Sequence, residues 1–332
     1  MAEGSSLREL NALGLGELWR ELAGSRGLAR RLFELARDED LGEGGDVTTA
    51  AMFGDGAKGA SVCARVRARE EMVVAGLAGV GELAEVFAGG AAVRPTIADG
   101  RRVDAGAVLA EVEGPASAVL ALERTVLNLI GRLSGVATRT ALFVAEASRG
   151  GPAAVLDTRK TTPGLRVLEK YAVRCGGGTL HRVGLHDAVL IKDNHLAGLD
   201  ASGVARRVGG ATAWARADRP LRFVECEVDR PEQLDAVLGL GPPPGGVDVV
   251  LLDNMSPGEL GEAVRRRDAA GLGAAGGRRP AVALEASGGV TLETIRAIAA
   301  TGVDRISVGS LTHGAVSRDL GMDRDERVER RE

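Results

Sequence analysis

The second half of this chain repeats one kind of unit. From residue 153 onward, short apolar and β-branched runs recur at roughly 25–35 residue spacing. They are AAVLD (153–157), AVLIKD (188–193), RFVECEV (222–228), DVVLLD (248–253), AVALEAS (281–287) and RISVG (305–309), and amphipathic helical segments separate most of them. A strand that is apolar along its whole length is covered on both faces, the condition of parallel strands packed under helices. Six such strands favour an α/β barrel over a small open sheet. The first third reads differently. The spacing predicts a helix over 28–37, strands over 61–70, 72–76 and 107–114, and a long helical region over 116–148 with a break near Ser134-Gly135. That third is therefore a mixed α+β layer ending in helices.

Polar residues at the end of each apolar run narrow the chemistry. Asp157-Thr158-Arg159-Lys160, Lys192-Asp193-Asn194, Glu225 and Glu227, Asp253-Asn254, Glu285-Ala286-Ser287-Gly288 and Gly309-Ser310 sit in or just past the predicted strands. In α/β barrels the C-terminal strand ends form the active-site face. Helix capping alone accounts for a Ser287 or an Asn254. It does not account for Arg159-Lys160, Lys192 or the paired glutamates. Backbone amides of SGG (287–289) and VGS (308–310), each preceding a helix, suit a phosphate. Glu227 and Asp253 are candidates to share a hydrated Mg²⁺ or to hold ribose hydroxyls, because magnesium takes one or two carboxylates plus substrate phosphates. His181 reads either as a substrate-orienting group or as a satisfied structural histidine. The four histidines (181, 186, 195, 313) show no HxxxH spacing, which argues against zinc. Tyr171 and Trp214 read as packing residues. On the long helix, Leu122, Val126, Leu129, Ile130 and Leu133 form a stripe that places Arg124 near an interface.

Charge and composition exclude several classes. Arg159, Lys160, His181, Arg182 and Lys192 gather within residues 156–195 of a chain whose formal net charge is −4. Cations collected against the overall balance point to a built pocket for a small anion, and arginine's planar fork suits carboxylate and phosphate. Aromatics make up 2% of the chain, so base-stacking platforms for nucleic acid are scarce. No apolar run is long enough to span a bilayer. Cys63, Cys175 and Cys226 are widely spaced with no CxxC pair, which fits a reducing cytoplasm.

The segments EDLGEGGDVTT, ERTVLNLIGRLSGVAT, DTRKTTPGLR, EKYAVRCGGG, HR, LIKDNH, ECEVD, LLDN, EASGGV and ISVGSLTH occur in this order between about residues 29 and 321. In them the chain resembles the quinolinate phosphoribosyltransferase family, the decarboxylating nicotinate-nucleotide pyrophosphorylases of NAD biosynthesis. The resemblance implies an N-terminal α+β sandwich domain plus a C-terminal incomplete, about seven-stranded α/β barrel. It divides the chain into a leader (1–25), a sandwich domain (26–135, with the chain's C-terminal end available to pack on it), the barrel (136–321) and a charged tail (322–332). It implies at least a homodimer whose sites each receive an arginine from the neighbouring subunit, the position of Arg124. Arg159, His181, Arg182 and Lys192 would bind the two carboxylates of quinolinate. Lys160, Glu227 and Asp253 would engage phosphoribosyl pyrophosphate and its Mg²⁺, and Ser287, Gly288, Gly309 and Ser310 its 5-phosphate. Leu180, Gly314, one extra residue in EDLGEGGDVTT and the insertion at 241–246 depart from the family pattern without removing a charged site residue. The competing readings are a molybdenum-associated relative of the same fold, a Schiff-base aldolase using Lys192, and a lipoyl-like carrier built on 97–113, which has no lysine at a hairpin tip.

Overall fold

The computed structural model describes residues 9–24, 27–54, 61–217, 220–274 and 279–324. They form two compact units, neither contiguous in sequence. The sheet unit takes Leu13–Ala141, Thr161–Gly177 and the chain from Leu311 on; the barrel unit takes the chain up to Ala12, Leu142–Lys160 and Gly178–Ser310. Much of the charged tail expected from 322 lies outside the described residues, as do the first eight residues of the leader.

In the sheet unit, β1 (Ser61–Ala68), β2 (Met72–Val73), β3 (Ala92–Pro95), β4 (Arg102–Val103) and β5 (Val108–Pro115) follow in order. β5 pairs antiparallel with both β1 and β3, while β2 and β4 make a separate ribbon. Ala64, Val66 and Ala68 of β1 are buried and the residues between them are partly exposed. That alternation is the mark of an antiparallel sheet covered on one face. The helix expected over 28–37 runs Leu28–Leu41 and ends at Gly42, whose φ of +48° a side-chain-bearing residue rarely adopts.

The barrel unit holds β6 (Ala154–Leu156), β7 (Val189–Ile191), β8 (Val224–Val228), β9 (Val249–Asp253), β10 (Ala283–Ser287) and β11 (Arg305–Ser307). They form one parallel sheet in the order β6-β11-β10-β9-β8-β7. Thr179 adds a single parallel bridge to Leu156, so the seventh strand expected of the barrel is reduced to one residue. Among the described residues no ladder joins that bridge to β7, and the barrel stays open there. The apolar runs of the sequence are the strands, trimmed by a residue or two at their ends. All five residues of β8 are buried, as a doubly covered strand requires. The register sets Glu227 beside Leu251, Leu251 beside Glu285, and Glu285 beside Arg305. One interior row is thus mostly charged, where such barrels are ordinarily filled by branched aliphatics.

The last strand, β12 (Leu320–Arg324), returns to the sheet unit and pairs antiparallel with the outer side of β1. Its approach explains a feature that the sequence reading placed wrongly. The helix Ala116–Ser148 is unbroken through Ser134-Gly135. A Cβ at Gly135 would strike the carbonyl of Val316, and one at Gly131 would lie 2.8 Å from the carbonyl oxygen of Arg318. Ser134 Oγ accepts the backbone N–H of Ala75 at 3.1 Å. These small residues let neighbouring backbone come close and do not interrupt the helix. Tyr171 is buried as expected, but Trp214 is 57% exposed and is not a core residue.

Candidate active site

The C-terminal ends of the barrel strands enclose a cavity of about 570 Å³. Arg159, Lys160, His181, Arg182, Lys192, Glu227, Asp253, Ser287, Gly288 and Gly309, all singled out from the sequence, line it. Ser310 follows Gly309 directly and starts the turn Ser310–His313, but it is not part of the lining. Arg124 lies elsewhere, exposed on the helix Ala116–Ser148 of the sheet unit. There it borders a second cavity of about 400 Å³ with Arg132, Glu39, Asp40 and the apolar Leu129 and Leu168.

Local structure explains how each side chain is held. Lys192 is the first residue beyond β7 and the N-cap of the turn Asp193–Leu196. His195 Nδ1 accepts the Lys192 backbone N–H at 2.8 Å, so this histidine fixes the peptide that carries the lysine. Lys192 Nζ lies 2.7 Å from Glu227 Oε2, an ion pair across β7 and β8. Asp253 ends β9, and Asn254 Nδ2 donates to its Oδ2 at 2.7 Å. Asn254 has a positive φ of 55° and donates its N–H to the Ser287 carbonyl at 2.9 Å. Gly288, at φ +94°, leaves the room this requires, since a Cβ there would strike the Asn254 side chain. The helix caps lie further along: Ser256 boxes with Glu259, and Thr291 with Thr294. Capping therefore explains neither Asn254 nor Ser287.

His181 and Glu285 of the lining and Glu225 behind it form a buried polar cluster; the sequence reading gave His181 a substrate role and left the two glutamates without one. His181 Nε2 is 2.9 Å from Glu225 Oε2 and 3.4 Å from Glu285 Oε1, and both glutamates are fully buried. Arg305 Nε donates to Glu285 Oε2 at 2.7 Å. Burial resists ionisation of Glu285, yet His181 and Arg305 outweigh it and hold the carboxyl down at about 2. Burial and then the charge of Glu285 push Glu225 up. Burial works against a charged imidazole at His181, but Glu285 and Glu225 overcome it and lift its pKa to about 9. The Arg182 backbone N–H, 2.8 Å from Nδ1, needs the lone pair there. These three ligand-type side chains come from β8, β10 and the segment after Thr179, so a search for HxxxH spacing does not see them. A further contributor unread in the sequence is Asn11, whose side chain pairs with both the N–H (2.7 Å) and the carbonyl (3.1 Å) of Leu180, next to His181.

The cavity brings cations and carboxylates together in one lining. Burial and then the neighbouring charge of Arg159 depress the Arg182 pKa, the signature of guanidinium groups crowded where an anion belongs. Lys192 is about half exposed and ion-paired, unlike the desolvated lysine of a Schiff-base enzyme. Segment 97–113, read alternatively as a carrier hairpin, supplies β4 and β5 of the sheet unit.

Comparison with known proteins decides among the remaining readings. The family model for the quinolinate phosphoribosyl transferase N-terminal domain matches residues 46–134, and that for its C-terminal domain matches residues 136–323. The chain belongs to the quinolinate phosphoribosyltransferase family. It is 42% identical over 297 residues to the nicotinate-nucleotide pyrophosphorylase [carboxylating] of Mycobacterium leprae, spanning 89% of this chain and 96% of that one. It is 40% identical over 289 residues to the probable enzyme of the same name from Bacillus subtilis, spanning 86% and 89%. The solved nicotinate-nucleotide pyrophosphorylase of Francisella tularensis superposes with a TM-score of 0.78 at 33% identity, over 96% of this chain and 99% of that one. The quinolinate phosphoribosyltransferase fold is thus present in both halves, and none of the departures noted from its pattern removes a charged residue from the cavity.

Proposed function

We propose that this chain transfers the phosphoribosyl group of phosphoribosyl pyrophosphate to quinolinate in the barrel cavity. The products are nicotinate mononucleotide, pyrophosphate and carbon dioxide, a step of NAD biosynthesis. The observation that carries this is the single cavity in which Arg159, Lys160, Arg182 and Lys192 face Glu227, Asp253 and the glycine ends of β10 and β11. Arg159, His181, Arg182 and Lys192 would take the two carboxylates. Lys160, Glu227 and Asp253 would take the pyrophosphate and ribose, and Ser287, Gly288, Gly309 and Ser310 the 5-phosphate. Two hard carboxylates on neighbouring strands suit Mg²⁺ held jointly with substrate phosphates, so Glu227 and Asp253 would hold it. Bound there, the ion would neutralise charge on the departing pyrophosphate.

The pyridine nitrogen supplies its own lone pair, so the chain need not furnish a base for the first bond. As the N–C1 bond forms and the C1–O bond breaks, positive charge develops on the ribose. The carboxylates of Glu227 and Asp253 would favour it. Carbon dioxide then leaves from the carbon next to the ring nitrogen, the electron pair stays on that carbon, and a proton replaces it. The cations that held the leaving carboxylate also position it for loss. We further propose a dimer with shared sites, Arg124 reaching the neighbouring subunit's cavity, and a cytoplasmic enzyme that binds neither nucleic acid nor membrane; no helix among the described residues is long and apolar enough to cross a bilayer.

The test is purified protein with quinolinate, phosphoribosyl pyrophosphate and Mg²⁺, followed by product mass and released carbon dioxide, with nicotinate as the control substrate. Nicotinate mononucleotide formed from quinolinate and not from nicotinate is the expected result. No product from either with folded protein overturns the assignment and favours the molybdenum-associated relative.

A further inference from the structure

The short stretch Thr179, Leu180, His181 alternates its backbone hydrogen bonds. Thr179 turns to β6, donating to the Val155 carbonyl at 2.8 Å and accepting the Asp157 N–H at 3.2 Å. His181 turns its N–H the same way, to Asp157 Oδ1 at 2.8 Å. Leu180, between them, presents its N–H and carbonyl to the opposite side, where a complete sheet would place the next strand. Among the described residues no strand pairs there, because the barrel stays open on that side. Asn11 stands in that place. Its Oδ1 accepts the Leu180 N–H at 2.7 Å, and its Nδ2 donates to the Leu180 carbonyl at 3.1 Å. A carboxamide carries acceptor and donor side by side, so one asparagine meets both groups. The same leader segment brings Glu9 to 3.6 Å from Arg222 Nη2, and Arg222 Nη1 donates to the His181 carbonyl at 3.0 Å. Past Arg182, Asp187 accepts the N–H groups of Val183 and Gly184, each at 2.8 Å. The backbone carrying His181 and Arg182 is thus pinned before and after the pair, and Asn11 supplies the pin at the open edge of the barrel.

We propose that Asn11 is a positioning residue for quinolinate binding: it fills the hydrogen-bonding place of an absent strand and so fixes where His181 and Arg182 meet the substrate carboxylates. This rests on reading the cavity as the quinolinate site. Asn11 forms no part of the cavity lining, so it acts through Leu180 and not on substrate. Leu180 is 1% exposed, so water does not readily replace the amide, and removing it leaves a buried N–H and carbonyl without partners. The stretch relieves that cost by shifting, and the two residues that follow shift with it. A misplacement of about 1 Å at groups that orient a substrate can cost as much as about 100-fold. The groups assigned to phosphoribosyl pyrophosphate, Lys160, Glu227, Asp253 and the glycine ends of β10 and β11, lie on other strands that Asn11 does not touch. The leader segment thereby acquires a role in one half of the site and not the other.

The experiment pairs steady-state kinetics with hydrogen exchange on the full chain. Asn11→Ala should raise KM for quinolinate about tenfold while KM for phosphoribosyl pyrophosphate stays within about twofold. Amide exchange read by mass spectrometry should quicken over residues 179–184 and slow again with saturating quinolinate. If Asn11→Ala does not fold, Asn11→Asp decides in its place: it keeps an acceptor for the Leu180 N–H, loses the donor to the carbonyl, and should show the same selective rise. Unchanged quinolinate KM in a folded variant would overturn the proposal. So would equal rises for both substrates with exchange quickened throughout the barrel, the mark of a residue that only stabilises the fold. Wild-type protein that forms no product from quinolinate would overturn the substrate assignment, and the proposal with it.

Discussion

Two residues separate binding from folding. Lys192 is 47% exposed, so its pair with Glu227 contributes at most about 0–1 kcal/mol to stability. In the cavity the same charge faces an anionic substrate. Lys192→Ala should therefore lower kcat/KM by about 100-fold or more, roughly 2.7 kcal/mol, while moving the melting temperature little; kinetics beside calorimetry checks this. Asp99 is the opposite case. It accepts from Leu77 N–H, Ala78 N–H and Tyr171 Oη, yet burial, the largest influence, leaves its pKa raised. Its folded pKa thus lies above the unfolded value, so the folded state binds the proton more readily. The charge penalty is present at neutral pH and fades as pH falls through the folded pKa toward the unfolded one. Asp99→Asn should cost about 1–3 kcal/mol at pH 7, because one amide oxygen cannot satisfy three donors. The gap to wild type should widen as pH falls to 4.5. A gap in denaturant titrations that stays constant or narrows would contradict this sign.

Among the elements, legibility followed covering. β8 to β10 stand out in the sequence because they are almost wholly buried and one face of each is apolar throughout, even where glutamates occupy the other. Lys192 just past β7, Asp253 at the end of β9 and Gly288 just past β10 were readable for a related reason: polarity begins where the strands end. The cluster under them was not readable as a cluster. Glu225, Glu285 and His181 meet through strand register and a bend after Thr179, and neither leaves a mark in residue order. β12 escaped notice because DLGMDR has no apolar run; only the partner strand makes it a strand. The Ser134-Gly135 reading failed since glycine spells both helix breaking and close packing. The two meanings predict opposite signs. If Gly131 and Gly135 only weakened the helix, replacing both with alanine would stabilise it, by about 1 kcal/mol each. Since their missing side chains admit the 316–318 backbone, Gly131→Ala with Gly135→Ala should instead destabilise by about 1–3 kcal/mol per site, read by thermal unfolding.

At the scale of the whole molecule, Arg124 sits on the sheet unit and the cavity belongs to the barrel unit. If sites are shared between subunits, Arg124→Ala and Arg159→Ala proteins, each inactive alone, should regain about a quarter of wild-type activity when unfolded together and refolded. Half the dimers would then be mixed, each with one intact site. Sites built within one chain predict no recovery. The pairing of β12 with β1 has a consequence for how the protein is born. Val66 meets Met322, so the first sheet is finished by nearly the last residues described. On the ribosome, one long side of β1 stays bare while the whole barrel is synthesised, an open template for other nascent chains. Slow decoding late in the message would prolong that exposure, and a short peptide copying residues 318–324 should shield it, raising the yield of soluble enzyme in a cell-free synthesis without altering the finished protein.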